Sequence, residues 1–245
     1  MITNHKPMDA STKPALNISN LRFSYRGADG GFTLQVGSLV LAPGEQMLLS
    51  ATSGGGKSTL LHLIAGLMEP EVGTIEVLGR NVHALRGAAR DRHRGAHIGM
   101  IFQTFNLLQG FTAAENVMAA LMFSELPQAE HRARAESLLT SLGITRQNSL
   151  VEQLSVGQQQ RVAVARAVAC APAIVLADEP TASLDPENAA IAIGLIQQAC
   201  REKGAALLCV SHDPAIAARF ERVQKLAELA VGLGGTALQS GVRAG

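Results

Sequence analysis

The sequence predicts an α/β protein: a mostly parallel central sheet, an N-terminal antiparallel β-subdomain, and a helical lobe inserted into the body. Three observations carry this. From Gln46 onward, short apolar runs alternate with helical stretches, the order expected of a parallel sheet with covering helices. Ahead of them, Leu16 to Tyr25 and Phe32 to Leu41 alternate loosely between apolar and polar residues, as antiparallel strands do. Between Thr112 and Gly143 there is no strand signal; Ala, Leu, Met and Glu dominate, broken at Pro127, which predicts two or more helices.

Taken in order, the first two strands are bounded by Gly-rich or Pro-containing turns. Pro43 and Gly44 make a turn into a short apolar strand, Gln46 to Ser50. Gly-rich sequence follows, and Lys57 to Gly66 reads as a helix closed by glycine. Thr74 to Leu78 is a short strand. His83 to Arg94 is polar and Arg-rich, a solvated helix or loop, and Ile98 to Phe102 is a buried strand. Gln158 to Cys170 is helical. The run Ile174 to Ala177 is apolar at every position, as a strand covered on both faces must be. A helix from Glu187 to Lys203, a strand from Leu207 to Val210, a helix from Pro214 to Phe220 and a β-like piece near Val223 to Leu226 complete the alternation.

The 245 residues suffice for one substantial core, and the expected organisation is a single domain over 16–229 with its helical lobe at about 104–168. Residues 1–15 read as a leader and 230–245 as a Gly-rich tail. Twenty-one Lys plus Arg against twenty Asp plus Glu give a net charge of +1, which offers no electrostatic footprint for nucleic acid. Three cysteines without C-x-x-C spacing read as free thiols. No apolar stretch approaches the roughly 20 residues that cross a bilayer. The expectation is a cytoplasmic chain that reaches the membrane through a partner.

The segment Ala51-Thr52-Ser53-Gly54-Gly55-Gly56-Lys57-Ser58-Thr59 follows a strand and opens a helix. Glycines let the backbone turn tightly and aim N–H groups at phosphate oxygens, and a helix N-terminus adds unpaired donors. Lys57 can then reach the β- and γ-phosphates of a nucleotide and the Ser58 hydroxyl can ligate Mg²⁺. The plainer alternative is a Gly-rich turn carrying a solvated lysine. Where the strict pattern has glycine, this chain has Ala51, whose methyl fits a negative φ but would add strain of roughly 1 kcal/mol at a positive one. A second acidic element ends the strand at Asp178-Glu179. Successive side chains of extended backbone diverge, so Asp178 can face a Mg²⁺ shell while Glu179 faces the attacking water as general base. His212, just after the strand ending at Val210, can orient that water or sense the γ-phosphate.

With these residues in order, the chain from about Leu16 to Leu229 resembles the nucleotide-binding subunits of ATP-binding-cassette transporters, a P-loop NTPase fold. By that resemblance residues 51–59 match the Walker A loop, with Ser53, Gly54, Gly55, Gly56, Lys57, Ser58 and Thr59 holding the ATP phosphates. Tyr25 matches the aromatic that stacks on adenine. Gln103 matches the Q-loop glutamine that touches Mg²⁺ or water, and Ser58, Gln103 and Asp178 form the implied metal shell. Leu154-Ser155-Val156-Gly157-Gln158 matches the signature, Asp178 and Glu179 the Walker B pair, Ser183-Leu184-Asp185 the D-loop, and His212 the switch histidine.

The resemblance further implies a dimer in which each ATP lies between the Walker A loop of one subunit and Ser155, Gly157 and Gln158 of the other. It implies an integral-membrane permease as partner, with the chain held peripherally on the inner face of the cytoplasmic membrane. The stretches GMIFQTFNLLQGFTAAENV and LSVGQQQRVAVARA look like the branch serving lipoprotein release, macrolide and peptide export and cell division. A groove between Gln103 and the helices of Thr112 to Phe123 would receive the permease. Val156 stands where the signature usually has glycine; a β-branched residue there is expected to slow turnover or weaken dimerisation. The rival readings are a catalytically impaired scaffold cassette, raised by Ala51 and Val156, and a soluble cassette ATPase of DNA repair or translation.

Overall fold

The computed structural model describes residues 13–25, 32–51, 54–182 and 184–230. Two antiparallel strands open it, β1 (Leu16–Ser24) and β2 (Thr33–Leu41), in register from Leu16 opposite Leu41 to Ser24 opposite Thr33. Then come β3 (Gln46–Ser50), α1 (Lys57–Ile64), β4 (Val72–Val77), the two-residue β5 (Arg80–Asn81), α2 (Gly87–His97) and β6 (Ile98–Ile101). The lobe contributes α3 (Ala113–Leu121), α4 (His131–Ser141) and α5 (Val156–Val168). The chain closes through β7 (Ile174–Asp178), α6 (Pro186–Lys203), β8 (Ala206–Val210), α7 (Pro214–Ala217) and β9 (Arg222–Lys225).

The strands form two sheets. One is antiparallel in the order β2-β1-β4-β5; the other, β6-β7-β8-β3-β9, is parallel at every pairing. Period-two geometry divides the parallel strands between two cores. Met47, Leu49, Ile174, Leu176, Leu208 and Val210 point toward the antiparallel sheet and α1. Their neighbours Leu48, Val175, Ala177, Leu207 and Cys209 point toward α3, α5, α6 and the rest of the lobe. These runs are apolar throughout because both faces are covered. Arg222 ties the sheets at one end, donating from Nη1 to the Val40 carbonyl at 2.8 Å and to Glu45 Oε1 at 2.7 Å.

The lobe is anchored by a buried amide. Asn116 is fully buried, and its Oδ1 accepts from the Leu108 N–H at 2.7 Å while its Nδ2 donates to the carbonyls of Leu108 and Thr112. A buried polar side chain satisfied on both sides is tolerated, and here it pins the loop before α3 to α3 itself. Thr112 and Glu115 form a reciprocal capping box at the start of α3.

Several boundaries differ from the sequence reading. Helix α7 ends at Ala217 rather than Phe220, and α5 begins at Val156 rather than Gln158. The polar stretch after His83 becomes a helix that runs to His97, with His93 buried and its titration pushed down to about 4 by burial and the nearby His97 and Arg80. All three cysteines are free. Cys200 and Cys209 are buried, and burial pushes the Cys200 thiol up to about 12. Among the described residues no helix is long and apolar enough to cross a membrane.

Candidate functional site

The parallel strands end in a common row, and the site is built there. The loop after β3 swings into α1 through Gly54 (φ 74) and Gly56 (φ 87). Gly56 is required twice over: it is the left-handed N-cap of α1, and a Cβ on it would lie 2.4 Å from Phe32 Cζ. Among the described residues no side chain caps α1, which leaves its first-turn N–H groups for an anion. Ala51 is not among the described non-glycine residues with positive φ, so its methyl carries no strain. Its carbonyl accepts from Lys57 Nζ at 2.8 Å.

Lys57 is buried, and its ammonium also pairs with Glu179 Oε1 at 3.1 Å. The same carboxylate oxygen lies 2.9 Å from His212 Nδ1, so the residue that follows β7, the residue that follows the loop after β3 and a residue beyond β8 meet at one atom. Burial raises the Glu179 carboxyl pKa, but the hydrogen bonds from His212 and Lys57 and their charges outweigh it, leaving Glu179 below the ordinary carboxylate range. Its backbone is left-handed (φ 43), with its N–H on the Val210 carbonyl at 3.0 Å. A non-glycine residue there costs roughly 1–2 kcal/mol and turns the chain sharply off the sheet.

Asp178, one residue earlier, completes β7 opposite Val210. Its Oδ1 is buried and has no hydrogen-bond partner among the described residues. An orphaned carboxylate oxygen beside α1, which packs on β7, suits a hard cation with oxygen ligands. Glu179, by contrast, lines the open cleft while Asp178 does not, the divergence that adjacent side chains at a strand end produce.

That cleft, of about 620 Å³, brings together Tyr25, Gly54, Gly55, Gly56, Lys57, Ser58, Thr59, Gln103, Glu179 and His212. Gln103 sits in the turn after β6 and is exposed. Tyr25 stands at the rim, its ring edge-on to Phe23 (centroids 4.8 Å apart) and its hydroxyl 3.5 Å from Met68 Sδ. Phe32, which sequence reading passed over, lies between Tyr25 and Gly56 and completes the aromatic wall. A lone aromatic just ahead of a strand gives no signal of that role.

Ser155, Gly157, Gln158 and Asp185 do not line the cleft. Ser155 Oγ accepts from the Gln158 N–H at 3.3 Å and Gln158 Oε1 accepts from the Ser155 N–H at 3.1 Å, a capping box at the start of α5. Asp185 caps α6, accepting from the Asn188 N–H at 3.0 Å. Ser53 and Ser183 lie outside the described residues.

Comparison with known proteins fits this geometry. The family model described as ABC transporter matches residues 34–182. The lipoprotein-releasing system ATP-binding protein LolD of Maricaulis maris is 43% identical over 197 residues, covering 80% of this chain and 86% of the relative. The macrolide export ATP-binding/permease protein MacB 1 of Yersinia pestis is 39% identical over 210 residues, 85% of this chain but 32% of that protein. Among solved structures, the dimeric post-hydrolysis state of the ATP-binding cassette MJ0796, bound to ADP and Pi, superposes with a TM-score of 0.72 at 32% identity, covering 86% of this chain and 93% of the other.

Proposed function

The chain belongs to the ABC transporter family, as an ATP-binding and ATP-hydrolysing subunit, and from that premise we propose that it powers extrusion of lipoproteins or similar amphiphiles by a separate permease. The similarity to LolD along nearly the whole of that protein supports this branch. MacB 1, in which ATP-binding and permease functions share one chain, supports a permease partner of the same kind. The subunit would then sit at the cytoplasmic face of the membrane, held there by the permease.

The single observation that carries the catalytic assignment is the meeting of Lys57 and His212 on one oxygen of Glu179. A triphosphate offers Lys57 a stronger, multiply charged partner than one carboxylate. When Lys57 turns to the β- and γ-phosphates, the Glu179 oxygen is released to accept a proton from water. The water oxygen bonds to the γ-phosphorus as the bond to the bridging oxygen breaks, giving ADP and phosphate. His212, still hydrogen-bonded to Glu179, holds the base in place. Before nucleotide arrives, Lys57 and His212 keep Glu179 ionised by holding its pKa below the ordinary range, so the base enters the reaction without a proton to lose.

Ser58 and Gln103, on the cleft, and Asp178, with its orphaned oxygen, would hold Mg²⁺, which on binding neutralises phosphate charge. Tyr25, with Phe32 behind it, would stack on the adenine. Ser155, Gly157 and Gln158 of a second copy would close over the γ-phosphate, since in one chain they stand off the cleft; Asp185 would lie at the same junction. The dimeric state of MJ0796 supports that arrangement. The unstrained backbone at Ala51 removes one of the two grounds for an impaired scaffold cassette.

The test is Glu179→Gln. It should lower kcat by about 100-fold or more, the usual range for removing a positioned general base, while ATP-driven dimers accumulate. An active Glu179→Gln enzyme, or one that neither hydrolyses nor dimerises with ATP while remaining folded, would remove Glu179 from the proposed role.

A further inference from the structure

Arg166 stands in the last turn of α5 and is half-buried. Its Nη2 donates to the Phe105 carbonyl at 2.7 Å and its Nη1 to the Asn106 carbonyl at 2.5 Å. These acceptors are consecutive, and both residues are left-handed, with φ of 58 and 47. A left-handed phenylalanine is strained, an asparagine less so, and the pair persists only where its surroundings over-determine it. The same turn begins at Phe102, whose carbonyl accepts from the Phe105 N–H at 3.1 Å, and it carries Gln103 at its tip on the cleft.

We propose that Arg166 is a positioning residue for ATP hydrolysis: its guanidinium fork fixes the left-handed Phe105–Asn106 exit of the turn and thereby holds Gln103 at the nucleotide. This rests on the reading of Gln103 as a group that touches the reaction site. A guanidinium is suited to the task because its donors are held rigidly in one plane and can serve two carbonyls at once. An ammonium offers three donors from a single point on a flexible stem. Helix α5 also grips the opposite side of the site, where Gln160 Nε2 donates to the Pro180 carbonyl at 3.1 Å, one residue beyond Glu179. The helix that begins at Ser155 therefore holds the loops bearing both Gln103 and Glu179.

The experiment is a double-mutant cycle on the full-length chain, reading steady-state ATPase rate, equilibrium ATP binding and thermal unfolding. Arg166→Ala should lower kcat by about tenfold with the ATP Kd changed less than about twofold, because Lys57 and the glycine loop are untouched. Arg166→Lys, which keeps the charge and most of the packing, should lose about threefold. In the Gln103→Ala background, Arg166→Ala and Arg166→Lys should each change kcat by less than about twofold, since the group they position is gone. Loss of the same factor in both backgrounds would overturn the inference, as would an unchanged kcat in either folded variant. Failure of both Arg166 variants to fold would also overturn it, since Arg166 would then be holding the fold itself. A Gln103→Ala enzyme with wild-type kcat would sink the Gln103 assignment as well, whereas the preceding outcomes leave that assignment standing.

Discussion

At the scale of single residues, the site is a small charge network with one carboxylate oxygen at its centre. Glu179 Oε1 serves Lys57 and His212 together, and its pKa is lowered although burial alone would raise it. A carboxylate whose folded pKa lies below its unfolded value of about 4.5 contributes stability that is fully present above that value. The contribution is lost as pH falls through the folded pKa. In nucleotide-free protein, the unfolding midpoint of wild type should therefore fall more steeply below about pH 4.5 than that of Glu179→Gln, with the two running parallel above it. Parallel curves throughout acid titration would show that the network does not stabilise the fold. The identity of Lys57, Glu179 and His212 was legible in the sequence because strand ends and glycine loops advertise themselves. Their convergence on one oxygen was not, since it depends on the left-handed backbone at Glu179, which a glutamate does not announce. Nor did Phe32 announce itself, because its part is played against Gly56 and Tyr25 from a position just outside β2.

At the scale of elements, α5 shows how a cap and a motif can share the same residues. Ser155 and Gln158 form a reciprocal capping box, and Val156 is the first helical residue, 53% exposed. Its side chain therefore costs the isolated subunit nothing; any effect must be felt where another surface approaches. Replacing Val156 with Gly should destabilise the subunit by up to about 1 kcal/mol, the ordinary cost of glycine in a helix. The same change should raise ATPase turnover about twofold or more and strengthen ATP-driven dimerisation. Equal rates and equal dimerisation would mean that the β-branched side chain crowds nothing. The helix starts two residues before the Gln158 expected from the sequence, at the Ser-x-x-Gln signal of its capping box. Near its other end the helix lies tight against β6. A Cβ at Gly99 of β6 would lie 2.2 Å from the Ala167 carbonyl, so the strand and the helix approach too closely for any side chain. Helix α7 stops early for a tertiary reason too: after Ala218 the chain must return to β9 beside β3, a demand that local propensity does not encode.

At the scale of the whole molecule, apolar side chains on the lobe divide into two groups. Phe105 and Leu107 belong to the core. Leu108, Phe111, Met122 and Phe123 are exposed, and support the proposed landing surface for a cytoplasmic helix of the permease. Phe111→Asp should weaken capture of the chain by its permease about tenfold, equivalent to ~1.4 kcal/mol, with ATP binding unchanged. Undiminished co-purification would place the permease elsewhere. The two-sheet body was legible from strand alternation and the inserted lobe from its Ala-, Leu-, Met- and Glu-rich composition, but which lobe residues face outward was not, since an apolar side chain carries no mark of its final exposure.

The order β6-β7-β8-β3 has a consequence for how such proteins diversify. Gln103, the Asp178-Glu179 pair, His212 and the glycine loop each follow one of four neighbouring strands, spaced by the ~4.8 Å pitch of a sheet. That pitch is set by backbone hydrogen bonds, and it ignores how much chain separates the strands. Residues 102–173 all lie between two adjacent strands of this ruler. Within that excursion the stretch from Thr112 to Leu150 carries none of these groups, so it can be recontoured or fitted to a new membrane protein while they keep their places, and the motor is re-geared without being rebuilt.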